Sequence, residues 1–471
     1  MFAVGVMMDF PIFHLDFMGN RMLIAIIAIL HVLINHSLAV GLAPIVTYLE
    51  YRGWKNKNTD LDQLANKIMF VGFVITTSLG AMTGVGIWLS ASLVSPASIG
   101  SLIRVFFFAW FTEWIVFVTE VVLILYYFLT WKASLKSDEA KKKHIKLGAA
   151  LSIFSWITMA IIVAILAFMM DPGSWTETHN FFHAVFNPIY LAQLAFRTPL
   201  AMLMGGAVTL FLTAIFTATG SKVRGEATQI AAIWILTWSI WVAVGSIFYY
   251  SVIPDMMFQN LSVAVGTTEF SSWYDSLLKL VSISIISVIA IASYALFHKN
   301  KVHIIAAALP ILLTFSLLTV FERAREFIRK PFVIANYMYS NMFRVSEYPL
   351  LKKEGILKYA TYVKYNQVTE ENKVEAGKDI FMLTCSRCHT SHGINSVVAK
   401  FRAMYGDATL NADAMKAYIE GMHNARYFMP PFPGNESEIG ALVEYILKTD
   451  EYPIPLEGAQ ETGVSISISR K

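Results

Sequence analysis

Residues 147–170 read LGAALSIFSWITMAIIVAILAFMM, a run without a charged side chain that is long enough, as a helix, to cross the apolar core of a bilayer. The composition agrees, since 56% of the 471 residues are hydrophobic, 15% are charged and the mean hydropathy is +0.54. These values exclude an ordinary soluble globule of this size. Comparable apolar stretches predict eight membrane-spanning helices, near residues 20–50, 68–96, 102–131, 147–170, 188–219, 228–254, 273–298 and 303–325. The predicted fold is an all-α polytopic membrane helix bundle surrounded by lipid.

The distribution of basic residues predicts the orientation of these helices. The loops after helices two, four and six hold only Arg104, whereas the other loops are basic. Their basic residues are Arg52, Lys55, Lys57, Lys67, Lys132, Lys136, Lys141, Lys142, Lys143, Lys146, Lys222, Arg224, Lys299 and Lys301. Because basic loops stay on the cytoplasmic side, both termini are expected outside. The net charge of +4 therefore requires no nucleic-acid partner. The first helix is too long for a cleavable signal peptide, so we expect it to be retained.

A second signal, residues 385–389 (CSRCH), contains the only two cysteines of the chain. A C-x-x-C-H motif attaches a c-type haem: Cys385 and Cys388 would bond to the porphyrin, and His389 would ligate the iron. The other axial ligand is expected at Met429, in a proline-rich loop, because a His/Met pair is typical of electron-carrying cytochromes c. A zinc or disulfide site is the alternative, but zinc needs two further ligands. Haem c is attached outside the cytoplasm, on the side where the charge pattern puts the C-terminus.

The chain thus divides into four predicted parts. Residues 1–330 would form the membrane domain, and residues 369–450, which contain the motif, a small α-helical cytochrome c domain. Residues 331–368 have mixed polarity and many tyrosines, which predicts an amphipathic linker at the membrane interface. Residues 451–471 are polar and are predicted to be extended or disordered.

Ionisable side chains within the predicted spans are functional candidates, because a charge in lipid is unfavourable. Imidazoles on membrane helices are typical ligands of haem b, and arginines suit its propionates. The candidates of these two kinds within the spans are His31, His36 and Arg197. Two more lie next to the spans: His183 in the outer loop before helix five, and Arg329 where helix eight leaves the membrane. Glu113 and Glu120 lie two helical turns apart and share a face, on which carboxyl groups can relay protons. The alternative for each residue is a polar group that pairs with a neighbouring helix.

The membrane part resembles subunit I of the cytochrome bd oxidase family over about residues 10–335. The most specific element, residues 326–332 (EFIRKPF), is similar to that family's E-x-x-R-x-P-aromatic signature. The resemblance implies that Glu326 ligates a haem b with Arg329 beside it, and that His31 is the axial histidine of helix one. Further matches are Gly41, Glu50, Glu120, Trp131, Asn187 and Pro188.

Other features of that family are missing from the sequence. Residues 196–198 (FRT) and 278–281 (LKLV) stand where the family has the histidine and the methionine of a low-spin haem. The quinol-binding loop is reduced to residues 254–272, and a cytochrome c domain replaces a ninth helix. This pattern is similar to the bd-like branch with a fused C-terminal cytochrome c. It implies one haem c and a pair of haems b. The ligands of a third haem are absent from the sequence, and the quinol-binding loop is shortened.

The resemblance implies a membrane-bound haem oxidoreductase of terminal-oxidase type, in a bacterial inner membrane, with its cytochrome c domain on the periplasmic side. Electrons would pass between haem c and haems b held by His31 and Glu326. Glu113 and Glu120 would supply protons for the reduction of oxygen or a related small oxidant. A periplasmic electron donor or acceptor and a second membrane subunit or larger respiratory complex are the expected partners.

The alternative function is a non-catalytic electron-transfer subunit, in which His36 and His183 would close the open iron positions. A third possibility, a mere membrane anchor for a cytochrome c domain, would need only one helix and leaves the buried carboxylates unexplained.

Overall fold

A computed structural model describes residues 10–261, 263, 274–405 and 410–451, and nearly all of its regular structure is helical. Within these residues, eight helices are long and apolar enough to span a membrane, as predicted. They are α1 (Asn20–Lys55), α2 (Thr59–Val94), α3 (Phe107–Leu129), α4 (Asp138–Met170), α5 (Tyr190–Phe216), α6 (Lys222–Ser251), α7 (Tyr274–Phe297) and α8 (Ile304–Ile328). The prediction of an all-α, multi-pass membrane protein is confirmed.

Some of these helices differ in detail from the sequence pattern. α1 and α2 are interrupted by π-helical turns at Asn35–Val40 and Thr76–Gly80. Short helices precede or follow the long ones, at Pro96–Val105, Trp131–Ser134, Trp175–Thr178, Phe181–Val185 and Asp255–Phe258. The predicted third helix, 102–131, is thus divided at each end. Most of the predicted loop 254–272 lies outside the described residues.

The helices α1 and α5 pack backbone against backbone. A Cβ added at Gly41 would lie 2.0 Å from the carbonyl oxygen of Ala201, and one added at Gly205 would lie 2.1 Å from the carbonyl oxygen of Gly41. Only glycine fits at these two positions, and small residues allow such close approach between membrane helices. His36 precedes Gly41, and Arg197 precedes Ala201, by about one turn. The contact therefore brings the two functional candidates side by side.

The long helices differ in the fraction of their side chains that is exposed, as expected for a helix bundle in a bilayer. α5 is buried along most of its length, whereas α3 buries few of its side chains. The exposed aromatic residues of α3 include Phe107, Phe108, Phe111, Trp114 and Phe117. Such a surface is unsuited to water, so α3 is expected to contact lipid or another membrane protein.

The chain forms two compact units. We call them the membrane unit, which comprises Ile27–Trp88 and Ser101–Arg329, and the C-terminal unit, which comprises the described residues of Met1–Ile26, Leu89–Gly100 and Lys330–Lys471. The C-terminal unit therefore includes two segments from the part of the sequence that was predicted to form the membrane domain.

In its described residues the C-terminal unit has one antiparallel pair of strands, β1 (Phe332–Ile334) and β2 (Met338–Tyr339). Its further helices are α9 (Tyr348–Glu354), α10 (Lys373–Thr384), α11 (Val397–Tyr405), α12 (Ala412–Ala425) and α13 (Glu436–Glu451). Residues 452–471, nearly all of the predicted polar tail, lie outside the described residues.

Residues 331–368, predicted as an interfacial linker, are folded into the C-terminal unit. Leu351 and Ile356 are buried in the core that also contains Ile380 of α10. The carboxylate of Glu438 in α13 accepts hydrogen bonds from the backbone N–H of Ile356, at 2.7 Å, and of the next residue, at 2.9 Å. This difference arises because the segment forms a short strand pair and short helices such as α9 around a long-range core, and elements this short have no clear periodic sequence pattern.

A cluster of buried polar side chains joins α1, α2, α3 and α4. Lys141 Nζ lies 2.7 Å from Glu50 Oε1 and 2.5 Å from Asp62 Oδ1. The hydroxyl of Tyr127 donates to Glu50 at 2.7 Å, and His144 Nδ1 lies 2.6 Å from Glu50. The other ring nitrogen of His144 is 2.7 Å from the carbonyl oxygen of Tyr127. Sequence analysis placed Lys141 in a basic loop, whereas its ammonium group is buried between two carboxylates.

The first prediction concerns this cluster. Lys141→Met should destabilise the protein by about 3–5 kcal/mol, because it leaves two buried carboxylates without their cation. The control is Lys142→Met on the same helix: its ammonium is exposed beside Asp138, so removal should change stability by less than about 1 kcal/mol. Thermal unfolding of both variants in detergent measures the difference. Equal midpoints for the two variants would contradict the account.

Candidate haem-binding sites

The chain turns back through the C-x-x-C-H motif directly after α10 ends at Thr384. The N–H groups of Cys388 and His389 donate to the carbonyl oxygen of Cys385, at 3.0 and 2.9 Å. This compact turn presents both thiols and the imidazole at the end of one helix. Burial raises the pKa of the Cys385 thiol to about 11, so the unattached thiol is protonated at physiological pH. Within the described residues, no group of three or more His, Cys, Asp or Glu side chains converges as a metal site.

His389 is oriented by its own loop. Its Nδ1 lies 3.1 Å from the carbonyl oxygen of Asn395, and the Asn395 amide in turn donates to the carbonyl oxygen of Cys388 at 2.6 Å. The Nδ1–H group is thereby used, which leaves the lone pair of Nε2 to face an iron. Burial lowers the pKa of His389 to about 4, so the ring is neutral at physiological pH, as a ligand must be. This geometry fits the axial role predicted for His389.

The loop with Met429 is held from three sides. The N–H of Met429 donates to the carbonyl oxygen of Arg426 at 2.8 Å, and His423 Nδ1 lies 2.6 Å from the carbonyl oxygen of Met429. The hydroxyl of Tyr348 donates to the carbonyl oxygen of Pro431 at 3.0 Å. The carbonyl oxygen of Met429 engages only Nδ1 of His423, and the thioether of Met429 is half-buried. Tyr348 is a positioning residue that the sequence did not indicate.

In the membrane unit, His31 has one ring nitrogen engaged. Its Nδ1 lies 3.2 Å from the hydroxyl oxygen of Thr83, which itself donates to the carbonyl oxygen of Leu79 at 2.7 Å. The hydroxyl therefore accepts from Nδ1–H, and the lone pair of Nε2 is left for an iron. The ring also lies against Gly84, where an added Cβ would come within 3.1 Å of it.

The structure brings His36, Arg197, Glu322 and Arg325 together in one buried cluster. Arg197 Nη1 lies 3.3 Å from His36 Nε2, and Arg197 Nη2 lies 2.6 Å from Glu322 Oε1. Arg325 Nε donates to the same carboxylate at 3.0 Å. Arg197 thus occupies the nitrogen with which His36 would most readily bind iron.

The same cluster retains unused hydrogen-bonding capacity. Arg197 Nε and Arg325 Nη1 are buried and have no hydrogen-bond partner among the described residues. A buried donor without an acceptor is unfavourable, so an anionic group with several oxygens fits here. The two propionates of a haem are such groups, and this chemistry supports the propionate role predicted for Arg197.

Glu326 and Arg329 form an ion pair at the end of α8. Arg329 is almost fully buried, whereas the carboxylate side chain is 39% exposed. This arrangement agrees with the placement of both residues on one face, one turn apart. The geometry fits a simple salt bridge between Glu326 and Arg329. It also fits a Glu326 carboxylate that ligates a haem iron with Arg329 beside it.

The remaining candidates lie in different surroundings. Glu120 accepts hydrogen bonds from the hydroxyls of Ser155, at 2.7 Å, and Thr158, at 3.0 Å. Glu113 is half-buried on the same helix. His183 is exposed in a short helix, where its ring contacts the hydroxyl of Thr178 at 2.8 Å. The hydroxyl pair around Glu120 was not evident from the sequence, because both partners lie on another helix.

Comparisons with known proteins agree with this architecture. Residues 372–446 match the family model described as "Cytochrome C oxidase, cbb3-type, subunit III". The fold is similar to that of a chain in the structure of bd oxidase from Geobacillus thermodenitrificans, with a TM-score of 0.52 and 17% sequence identity over 67% of this chain and 87% of that chain. A comparison with curated proteins found no match. The predicted combination of a bd-oxidase-like fold with a C-terminal cytochrome c-like domain is therefore confirmed.

The second prediction concerns the axial methionine. Met429→Ala should leave the haem covalently attached but lower its midpoint potential, because a thioether ligand favours ferrous iron. Met422→Ala is the matched control and should leave the potential unchanged. Spectroscopic redox titration and the near-infrared methionine–iron band provide the measurement. If Met429→Ala changes neither signal, the axial ligand lies elsewhere, with Met422 and His423 as the next candidates.

Proposed function

We propose that this chain is a membrane-bound haem oxidoreductase that passes electrons between one haem c and a pair of haems b, and reduces oxygen or a related small oxidant. The observation that carries the proposal is the union, in one chain, of a bd-oxidase-like fold with a folded C-x-x-C-H unit. Haem supplies reversible one-electron transfer and, where an iron position is open, reduction of a small oxidant.

In the C-terminal unit, the chain's own residues would hold and tune haem c. Cys385 and Cys388 provide the covalent attachment, and the turn after α10 brings them together with His389. The Asn395 carbonyl fixes the imidazole so that Nε2 is the ligand atom. Met429 would complete a His/Met pair, which suits electron transfer rather than gas binding.

In the membrane unit, His31 and Glu326 would hold the haems b. Nε2 of His31 has a free lone pair, because Thr83 engages Nδ1. Arg329 beside Glu326, and Arg197 within the buried cluster, would pair with propionates through charge-assisted hydrogen bonds. Each arginine would then neutralise an anion that lipid cannot solvate.

Polar residues on α3 support a route for protons. Glu113, Glu120 and Tyr127 follow one another at seven-residue intervals, about 10.5 Å of rise each, on one helix face. Glu120 is held by hydroxyls of α4, and Tyr127 contacts Glu50, which contacts His144. The carboxyl groups of Glu113, Glu120 and Glu50 and the imidazole of His144 can accept and release protons. Glu113 and Glu120 would thus supply protons to the reacting oxidant.

The basic loops support an orientation in which the C-terminal unit would lie on the periplasmic side of a bacterial inner membrane. A periplasmic protein would then exchange electrons with haem c. The exposed aromatic surface of α3 supports contact with a second membrane subunit or a larger respiratory complex.

The third prediction is that the purified protein catalyses oxygen reduction. Purified protein in detergent, reduced by ascorbate through a mediator, should consume oxygen, and the reduced haem b spectrum should shift on addition of carbon monoxide, because the proposed chemistry needs an open iron position. Oxygen uptake with an intact carbon monoxide shift supports the proposal. Absence of both, even with the native partners present, would contradict it and favour the non-catalytic electron-transfer subunit.

The fourth prediction tests the ligand role of Glu326 against a salt bridge. Glu326→Ala should lower the haem b content from two to one per chain and leave haem c unchanged. Arg323→Ala, on the exposed face of the same helix, is the control and should retain both haems b. Pyridine haemochrome spectra give the two contents separately. If Glu326→Ala retains two haems b per chain, Glu326 is not a haem ligand and only forms an ion pair with Arg329.

A further inference from the structure

The segment before α1 is folded against the haem c motif within the C-terminal unit. Asn20 fixes this segment, because its amide donates to the carbonyl oxygen of Phe13 at 2.8 Å and its carbonyl accepts from the N–H of Leu15 at 3.0 Å. Ile12 packs against the hydrophobic core that includes Phe381 of α10. These contacts give the segment a defined conformation rather than that of a free terminus.

The side chain of Asp16 meets the loop that follows the axial histidine. Its two carboxylate oxygens accept hydrogen bonds from the backbone N–H groups of Ser391, at 2.6 Å, and His392, at 3.3 Å. A Cβ added at Gly393 would lie 2.0 Å from the Asp16 carbonyl oxygen, so glycine is required there. The two backbones therefore touch, and the carboxylate lies against the N–H groups of the loop.

This carboxylate carries a charge close to the haem attachment site. Ser391 is two residues after His389, so their Cα atoms are at most about 7.6 Å apart. Burial alone would raise the pKa of Asp16, but hydrogen bonds from His14 and from the Ser391 and His392 N–H groups lower it to about 2. The group is thus ionised at every physiological pH. His14 Nε2, at 3.1 Å, is the one side chain seen to bond to it in the described residues.

Two cations oppose this charge in the same region. Arg21 and Lys400 both act electrostatically on His389 and favour its neutral form. A negative charge among such cations stabilises the oxidised iron, because ferric haem carries one more positive charge than ferrous haem. Asp16 therefore favours ferric haem, and these cations favour ferrous haem.

We infer that Asp16 is a positioning residue that lowers the midpoint potential of haem c, by anchoring the loop after His389 and by placing a fixed negative charge beside it. The inference rests on the proposed haem c. It assigns a redox-tuning role to a segment more than 350 residues away in the sequence from the C-x-x-C-H motif.

The fifth prediction uses the full-length protein with its haem attached. Asp16→Asn removes the charge and keeps an oxygen that accepts from the loop, so the ratio of reduced to oxidised haem c at a fixed ambient potential should rise about three- to ten-fold. A ten-fold change corresponds to about 59 mV for one electron. Asp413→Asn is the control: it removes the same charge from the exposed first turn of α12, where solvent screens it.

Asp16→Glu keeps the charge and should restore the ratio of the unsubstituted protein to within about two-fold. Redox titration followed at the haem c absorption band measures all four proteins. An unchanged ratio in Asp16→Asn overturns the inference, as does an equal shift in Asp413→Asn or in Asp16→Glu. Absence of covalent haem from the unsubstituted protein is a different result, because it overturns the proposed function itself.

Discussion

A charged side chain inside a bilayer is stable only when another group of the protein neutralises it. The same holds for a charge buried within the protein, and the membrane unit neutralises such charges at two places: Lys141 pairs with carboxylates of α1 and α2, and Glu322 pairs with arginines of α5 and α8. None of these buried charges can turn towards lipid without a large loss of stability. The first group fixes α1, α2 and α4 relative to one another, and the second fixes α5 and α8. The contact between Gly41 and Gly205 sets the spacing of α1 and α5 and so connects the two sets.

The candidate haem sites lie where side-chain nitrogens are left without a hydrogen-bonding partner in the described part of the chain. The cluster around Glu322 leaves guanidinium nitrogens of Arg197 and Arg325 without acceptors among the described residues, and its two arginines face a single carboxylate. In the C-terminal unit, the loop around His389 uses one ring nitrogen and leaves the other. Both places combine a rigid frame with an unused hydrogen-bonding or ligating atom. Such a combination would suit a haem, because the protein would supply orientation and charge while the haem would supply redox chemistry.

The sequence predicted the eight long helices and the C-x-x-C-H turn, because apolar length and cysteine spacing are local signals. It did not predict the burial of Lys141 or the hydroxyls around Glu120, since these depend on contacts between helices. The folding of residues 331–368 around Glu438 was missed for the same reason. Asp16 is the clearest example: its role depends on contact with a loop that is distant in sequence, and no motif marks either partner.

The proposal that one chain holds haem in both units can be tested by the haem content of the purified protein. Pyridine haemochrome spectra, recorded before and after acid–acetone extraction, separate covalent haem c from extractable haem b and give both per chain. We expect one haem c and two haems b. A chain that carries haem c but no haem b would contradict the proposal, because the membrane unit would then be a helical support without redox function.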